Sequence, residues 1–324
     1  MKSFYIKSEH GKTALELRDA PVPQPRAGEL VVRMRAASLN RGELLASIGL
    51  HSVDTPRPAG GDGAGEVHAV GEGVTGFKPG DRILLRGRGT FSEYAAVAKE
   101  QAIQMPERLS WEQAASIPTA YITAYEALYP YGRLQRGEWL LVAGVSSGVG
   151  VACVQIAKAA GAKVAGTSGA ADKLAKLKAI GLDVGIRARG SDFADEVLEA
   201  TGGKGVNVAV NLVGGTAFPG CLRSLANQGR LAIVGYVDGA MKCELDLEPV
   251  HGKRLEIFGL SNAYLTPAER AEATHGFARE VMPAFADGRI TPLVDKVFPF
   301  DELPAAKAYV ESNAQLGKVV VRMG

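Results

Sequence analysis

Residues 139–168, WLLVAGVSSGVGVACVQIAKAAGAKVAGTS, constrain the fold more than any other stretch of the chain. An apolar run at 140–143 leads into a turn of small residues. A helix-like run follows at 151–160, then a second strand candidate at 163–167. Strand, glycine turn, helix and strand in that order predict a βαβ unit with parallel strands. Small residues at the start of the helix let the pyrophosphate of a dinucleotide approach the backbone. There the free amides and the positive end of the helix dipole favour an anion. The literal G-x-G-x-x-G pattern is absent, since Val145 and Ser147 stand at its first two glycine positions and only Gly150 remains. The order of elements therefore carries the reading. It makes Ser147, Gly148, Val149 and Gly150 the expected pyrophosphate-binding residues, with Gly150 also letting the helix pack closely on the strand. The competing reading is a packing turn with no ligand. Residues 139–157 carry no charge and nearly match a membrane span in length, but their glycines, serines and Gln155 fit a buried strand-turn-helix better.

The end of the second strand selects the dinucleotide. A carboxylate there would hold the ribose hydroxyls of NAD and repel a 2′-phosphate. Here the strand ends in Gly166-Thr167-Ser168-Gly169, so a neutral hydroxyl stands at that point. Lys173 follows, and Arg187 lies after the next strand-like run. A serine with one or two cations suits a phosphate carrying nearly two negative charges, so NADPH is the expected cofactor. The alternative for Lys173 and Arg187 is solvated surface charge.

The same alternation continues to about residue 260, with a helix pattern at 172–180 and buried strand candidates at 206–212 and 230–234. The first 115 residues or so differ. Short apolar runs broken by Pro and Gly clusters predict a β-rich domain, with a strand at 66–70 and a turn at FKPGDR. A long helix is expected from Thr266 through TPAERAEATHGFAREVMPAF, then a strand, a helix over 301–312 and a final strand in GKVVVRM. A length of 324 residues fits two domains. A net charge of +2 with 46% hydrophobic and 22% charged residues argues against a disordered chain and offers no global field for nucleic acid or a membrane.

Three cysteines without CxxC spacing argue against a disulfide framework, so a reducing cytoplasm is the expected location. The five histidines form no HxxxH or HExxH pair, and a zinc site is not readable. The N-terminus MKSFYIKSEHGK lacks the apolar core of a signal peptide.

Five landmarks together resemble one family: AASLNRGELL at 36–45, GGDGAGEVHAVGEGVTGFKPGDRI at 60–83, TAYEAL at 123–128, GVSSGVGVACVQIAKAAGAKV at 144–164 and GKVVV at 317–321. The chain resembles a medium-chain dehydrogenase/reductase of the zinc-independent quinone oxidoreductase group, which includes zeta-crystallin. The resemblance implies an α/β fold: a GroES-like β-rich catalytic domain from residues 1–122 and 263–324, and a Rossmann doubly wound parallel-sheet domain from 123–262. Zinc-dependent relatives carry a cysteine where Ser38 or Leu39 falls, a histidine–glutamate pair at Gly61-Asp62, and a four-cysteine lobe where this chain reads RGRGTFSEYAAVAK. No metal is therefore expected. Without that Lewis acid, the implied substrate accepts hydride readily, as a quinone or a carbonyl-conjugated alkene does.

By the same resemblance, Asn40 and Thr123 would face the nicotinamide end as the catalytic residues, and Thr123 would hydrogen-bond the carboxamide or the substrate. The loops Val213-Gly214, Gly235-Tyr236 and Leu260-Ser261 would complete the cofactor site. Asp62 is expected to hydrogen-bond structurally. The chain departs from the family at Ser147, at Asn211 and at Arg41, where related enoyl reductases carry a tyrosine. His51 and Tyr236 are the candidates for the proton donor. The expected mechanism is direct hydride transfer, with the protein contributing proximity. Three alternatives are a 2-enal, 2-enone or enoyl-thioester reductase, an alcohol dehydrogenase, and a non-enzymatic RNA-binding or lens-structural role. The expected assembly is a homodimer pairing through an edge strand at 255–260, with a small-molecule substrate and neither nucleic acid nor membrane as partner.

Overall fold

The computed structural model describes residues 1–9, 12–44 and 55–324, so His51 lies outside the described residues. The chain divides into two compact units, Met1–Ile122 with Leu265–Gly324, and Thr123–Tyr264. In chain order the first part contains β1 (Lys2–Glu9), β2 (Lys12–Asp19), β3 (Glu29–Ser38), α1 (Arg41–Leu44), β4 (Arg57–Pro58), β5 (Asp62–Val70), β6 (Arg82–Arg86), β7 (Tyr94–Ala98), β8 (Ala102–Gln104), α2 (Trp111–Ala115) and α3 (Pro118–Leu128). The middle part contains β9 (Trp139–Ala143), α4 (Gly148–Ala159), β10 (Lys163–Ser168), α5 (Ala171–Lys178), β11 (Val184–Arg187), α6 (Ala194–Ala200), β12 (Val206–Asn211), α7 (Phe218–Arg223), β13 (Leu225–Ile233), α8 (Leu247–Gly252) and β14 (Glu256–Gly259). The last part contains α9 (Pro267–Glu280), α10 (Met282–Ala286), β15 (Val294–Pro299), α11 (Leu303–Glu311) and β16 (Lys318–Arg322).

Both chain ends build the first unit. Its larger sheet runs β15-β16-β3-β5-β6-β8, with β7 also on β3, and β2-β1-β4 form a smaller one. The C-terminal β16 pairs antiparallel with β3, setting Val320 opposite Ser38 and Val321 opposite Ala37. That register brings Lys318, the first residue of β16, beside the end of β3. Apolar side chains from both ends, including Leu30, Met34, Ile83, Leu85, Phe91, Phe298, Val319 and Val321, close one core.

The second unit is a six-stranded sheet in the order β11-β10-β9-β12-β13-β14. Every pair in it is parallel. Strands covered on both faces read as unbroken apolar runs, which is why LLVA and the VAV of β12 show no alternation. Strand order reverses about β9, whose neighbours are β10 and β12. Open sheets of this kind bind ligands at the carboxyl ends of the strands beside such a reversal. The fold is thus α/β, a GroES-like β-rich unit and a Rossmann-type parallel sheet.

Two elements differ from expectation. β13 starts at Leu225 rather than near 230, because Asn227 and Gln228 within it are polar and exposed and break the strand pattern. The long helix from Thr266 breaks at Val281 into α9 and α10. Pro283 lacks an N–H to donate, and its ring would clash with the carbonyl one turn back in a continuous helix. No helix among the described residues is long and apolar enough to cross a membrane.

Candidate functional site

The turn after β9 is built by Ser147. Its backbone is extended at the N-cap of α4; its Oγ accepts from the Gly150 amide at 3.1 Å and donates to the Gly144 carbonyl at 2.9 Å. The serine side chain is therefore engaged in closing the helix start. Gly148 and Val149 hold the first two helical positions, where an amide has no carbonyl one turn back. Gly150 is sterically required. A Cβ there would lie 2.6 Å from the Val145 carbonyl oxygen and 2.7 Å from that of Gly144.

At the end of β10, Ser168 Oγ lies 3.3 Å from Ser146 Oγ and accepts from the Ala170 amide. The parallel register sets Ser168 directly beside Arg187 of β11. Lys173 stands in the first turn of α5. A third cation joins them that sequence reasoning missed. Arg189 lies over Gly169, with its Nε 2.7 Å from where a Cβ would sit. The signal was present in the run Arg187-Ala188-Arg189, but nothing in the run says that the second arginine folds back over the glycine.

Loops at the same sheet edge carry the remaining expected residues. Asn211 accepts from the amides of Val213 and Gly214, each at 3.0 Å, and donates to the Gly214 carbonyl at 2.9 Å. An aspartate could accept both amides but could not donate, so the departure at Asn211 adds a bond. Asp238 accepts from the amide and hydroxyl of Thr216 and from the Ala240 amide. Its own amide donates to the Val213 carbonyl. The loop holding Val213-Gly214 and the loop holding Gly235-Tyr236 are thereby laced together. Leu260 donates its amide to the Ile233 carbonyl, and Ser261 Oγ accepts from the Ala263 amide. Thr123, on α3, is 4% exposed, and its Oγ1 accepts from Asn262 Nδ2 at 3.1 Å. Asn262 is a second residue missed from the sequence.

The first unit holds a buried polar cluster at Asn40. The Asn40 amide donates to Glu43 Oε1 at 3.0 Å and to Asp62 Oδ2 at 2.9 Å, and its carbonyl accepts from Lys318 Nζ at 2.6 Å. Both N–H donors and the carbonyl oxygen are engaged within the unit. Asp62, fully buried, also accepts from the Thr119 amide and hydroxyl. Lys318 Nζ donates to the Leu39 carbonyl and stands 3.7 Å from Asp62. The Glu43 carboxyl lies over Gly61, where a Cβ would fall 2.1 Å from its Oε1 and displace it. Its Oε2 is buried without a hydrogen-bond partner. Burial, then the charge of Asp62, pushes this carboxyl up to about 7 against the pull of Asn40 and Lys318. Burial pulls the Lys318 ammonium below its usual range, opposed by Asp62 and Glu43. Among the described residues, no three His, Cys, Asp or Glu side chains gather as a metal centre would require.

Two family models match the chain, an alcohol dehydrogenase GroES-like domain over residues 26–107 and a zinc-binding dehydrogenase over 148–277. The human synaptic vesicle membrane protein VAT-1 homolog is 31% identical, over 97% of this chain and 84% of its own length. A phenolphthiocerol/phthiocerol polyketide synthase of Mycobacterium tuberculosis is also 31% identical over 95% of this chain, which spans only 14% of that protein. Among solved structures, the Escherichia coli quinone oxidoreductase complexed with NADPH superposes with a TM-score of 0.87 at 26% identity, covering 99% of this chain and 100% of that one. The CurK enoyl reductase superposes with a TM-score of 0.84 at 27% identity, covering 99% of each chain.

Proposed function

The chain belongs to the medium-chain dehydrogenase/reductase family, in its quinone oxidoreductase group, and from that premise we propose an NADPH-dependent reductase of quinones and carbonyl-conjugated alkenes that works without a catalytic metal. The observation that carries the choice of cofactor is the placing of Ser168 beside Arg187, with Arg189 over Gly169 and no carboxylate at the strand end. The likeness to a quinone oxidoreductase and to an enoyl reductase supports the two acceptor classes.

The bound cofactor supplies a hydride from its reduced nicotinamide. The chain's own residues do the rest. The amides of Gly148 and Val149, at the positive end of α4, hold the pyrophosphate. Ser168, Lys173, Arg187 and Arg189 hold the 2′-phosphate through charge-assisted hydrogen bonds. Val213-Gly214, Gly235-Tyr236 and Leu260-Ser261 would line the nucleotide, and Thr123 would donate to a carbonyl oxygen at the reacting end. Asn40, its amide already bonded on three sides, acts as a positioning residue. Tyr236, half-buried, is the proton-donor candidate within the described residues.

Initial rates with NADPH and with NADH over a panel of quinones and enones test this reading. The parent should favour NADPH, and chelation should leave its rate unchanged. Replacing Arg187 and Arg189 together by alanine should lower kcat/KM for NADPH by roughly 10–100-fold, since a hydrogen bond to a charged group contributes about 1.5–3 kcal/mol. NADH should be little affected. Equal losses with both nucleotides, or no oxidation of either by any acceptor, would refute the proposal.

The same reading assigns the open edge of β14 to a second copy of the chain. Ile257 on that edge is 38% exposed, and Tyr131 stacks on Phe258 with ring centroids 5.6 Å apart. An apolar residue on the open edge of a sheet invites pairing. Ile257→Asp should sediment as a monomer where the parent sediments as a dimer; a monomeric parent would remove this assignment.

A further inference from the structure

Buried hydroxyls on helices ordinarily donate back to a carbonyl three or four residues earlier. In this chain Thr201 donates to Val197, Ser224 to Gly220 and Thr274 to Arg270. Thr123 does not follow them. Its oxygen accepts from Asn262 Nδ2, and among the described residues its proton goes to no acceptor. At 4% exposure that proton has little access to water. A buried donor without an acceptor is disfavoured unless a ligand completes it. We infer that Asn262 is a positioning residue: it occupies the acceptor side of the Thr123 hydroxyl and so keeps the proton for a carbonyl oxygen of the bound ligand. That oxygen belongs to the nicotinamide carboxamide or to the acceptor. The inference rests on the placement of Thr123 at the reacting end of the site.

The chemistry of the pair makes an unusual prediction. An aspartate at position 262 has nearly the shape of asparagine but only accepts hydrogen bonds. It would draw the Thr123 proton to itself and remove the donor. Alanine would leave the hydroxyl unanchored. A structural role predicts that the isosteric change is the milder one, whereas this inference predicts the reverse. Single-turnover rates at saturating NADPH with a benzoquinone, and NADPH affinity by fluorescence titration, read the two sources of the oxygen separately. A carboxamide partner shows in the affinity, and an acceptor partner shows in the rate.

Asn262→Asp should lose about tenfold or more in one of these, as removal of a preorganised donor does. Asn262→Ala should lose about threefold, the scale of one modest hydrogen bond. Both losses should fall below about twofold when Thr123 is already valine, because residues acting through one contact are not additive. A general effect of the new charge would persist in that background and so be told apart. If Thr123→Val is impaired but the Asn262 variants lose as much in its presence, or if alanine is as harmful as aspartate, the inference fails alone. If Thr123→Val matches the parent in both measurements, the placement of Thr123 fails and the inference with it. The affinity measurement needs no turnover, so it reads a carboxamide partner even in a chain that does not reduce the benzoquinone.

Discussion

Replacing Lys318 by methionine should destabilise the protein by about 3–5 kcal/mol, the range seen when one partner of a buried ion pair is removed. Methionine fills most of the volume of the lysine stem. It leaves the Leu39 carbonyl, the Asn40 carbonyl and the Asp62 carboxylate without their shared cation. Side-chain exposure is only 6% for Lys318 and 0% for Asp62, so water cannot take its place. Urea unfolding monitored by circular dichroism measures the loss. Adding Asp62→Asn should recover part of it, because a neutral amide tolerates burial better than an unpaired carboxylate. A single variant within about 1 kcal/mol of the parent would show that the pair resembles an exposed salt bridge, worth little on its own.

Gly150→Ala should weaken NADPH binding by about 100-fold or more, the effect expected when a backbone anion site loses its geometry. The added methyl would press on two carbonyl oxygens of the turn, at 2.6 and 2.7 Å. Backbone atoms cannot swing aside as a long side chain can. The turn must open, and the amides of Gly148 and Val149 then lose their common direction. Ser147→Ala is the control. It removes the cap on the Gly150 amide and should destabilise α4 by about 1 kcal/mol, yet it leaves every amide in place. Its affinity for NADPH should fall far less. Fluorescence titration with circular dichroism of each variant separates a broken site from a broken fold, and a Gly150→Ala protein that binds like the parent would contradict the steric argument.

The two predictions differ in how far the sequence exposes their basis. Gly150 sits in a continuous run whose strand, turn and helix are local structures, each within a few residues of its own signal. Lys318 was visible only as part of a terminal GKVVV motif, and Asp62 was legible as a structural hydrogen-bonding residue but without its partners. Their contact depends on the antiparallel register of β16 against β3, which joins positions hundreds of residues apart. Asn262 and Thr123 meet across a separation of 139 residues, again with no period or spacing to announce it. Arg189 is close to Arg187 in sequence, but its return over Gly169 is a matter of loop path. The end of the long helix at Val281 did have a local cause in Pro283, which an apolar-periodicity reading passes over.

Local order and composition by themselves determined a β-rich segment followed by strand–helix alternation, a glycine turn opening a helix, and a neutral serine at the strand end. These depend on side-chain period, turn chemistry and backbone sterics, which act over a handful of residues. Tertiary structure alone decided which charged groups stand together: the arginine over Gly169, the ammonium between Asn40 and Asp62, and the amide that claims one side of Thr123. Such hydrogen bonds need donor and acceptor within about 3 Å, and only the completed sheets bring distant parts of one chain that close.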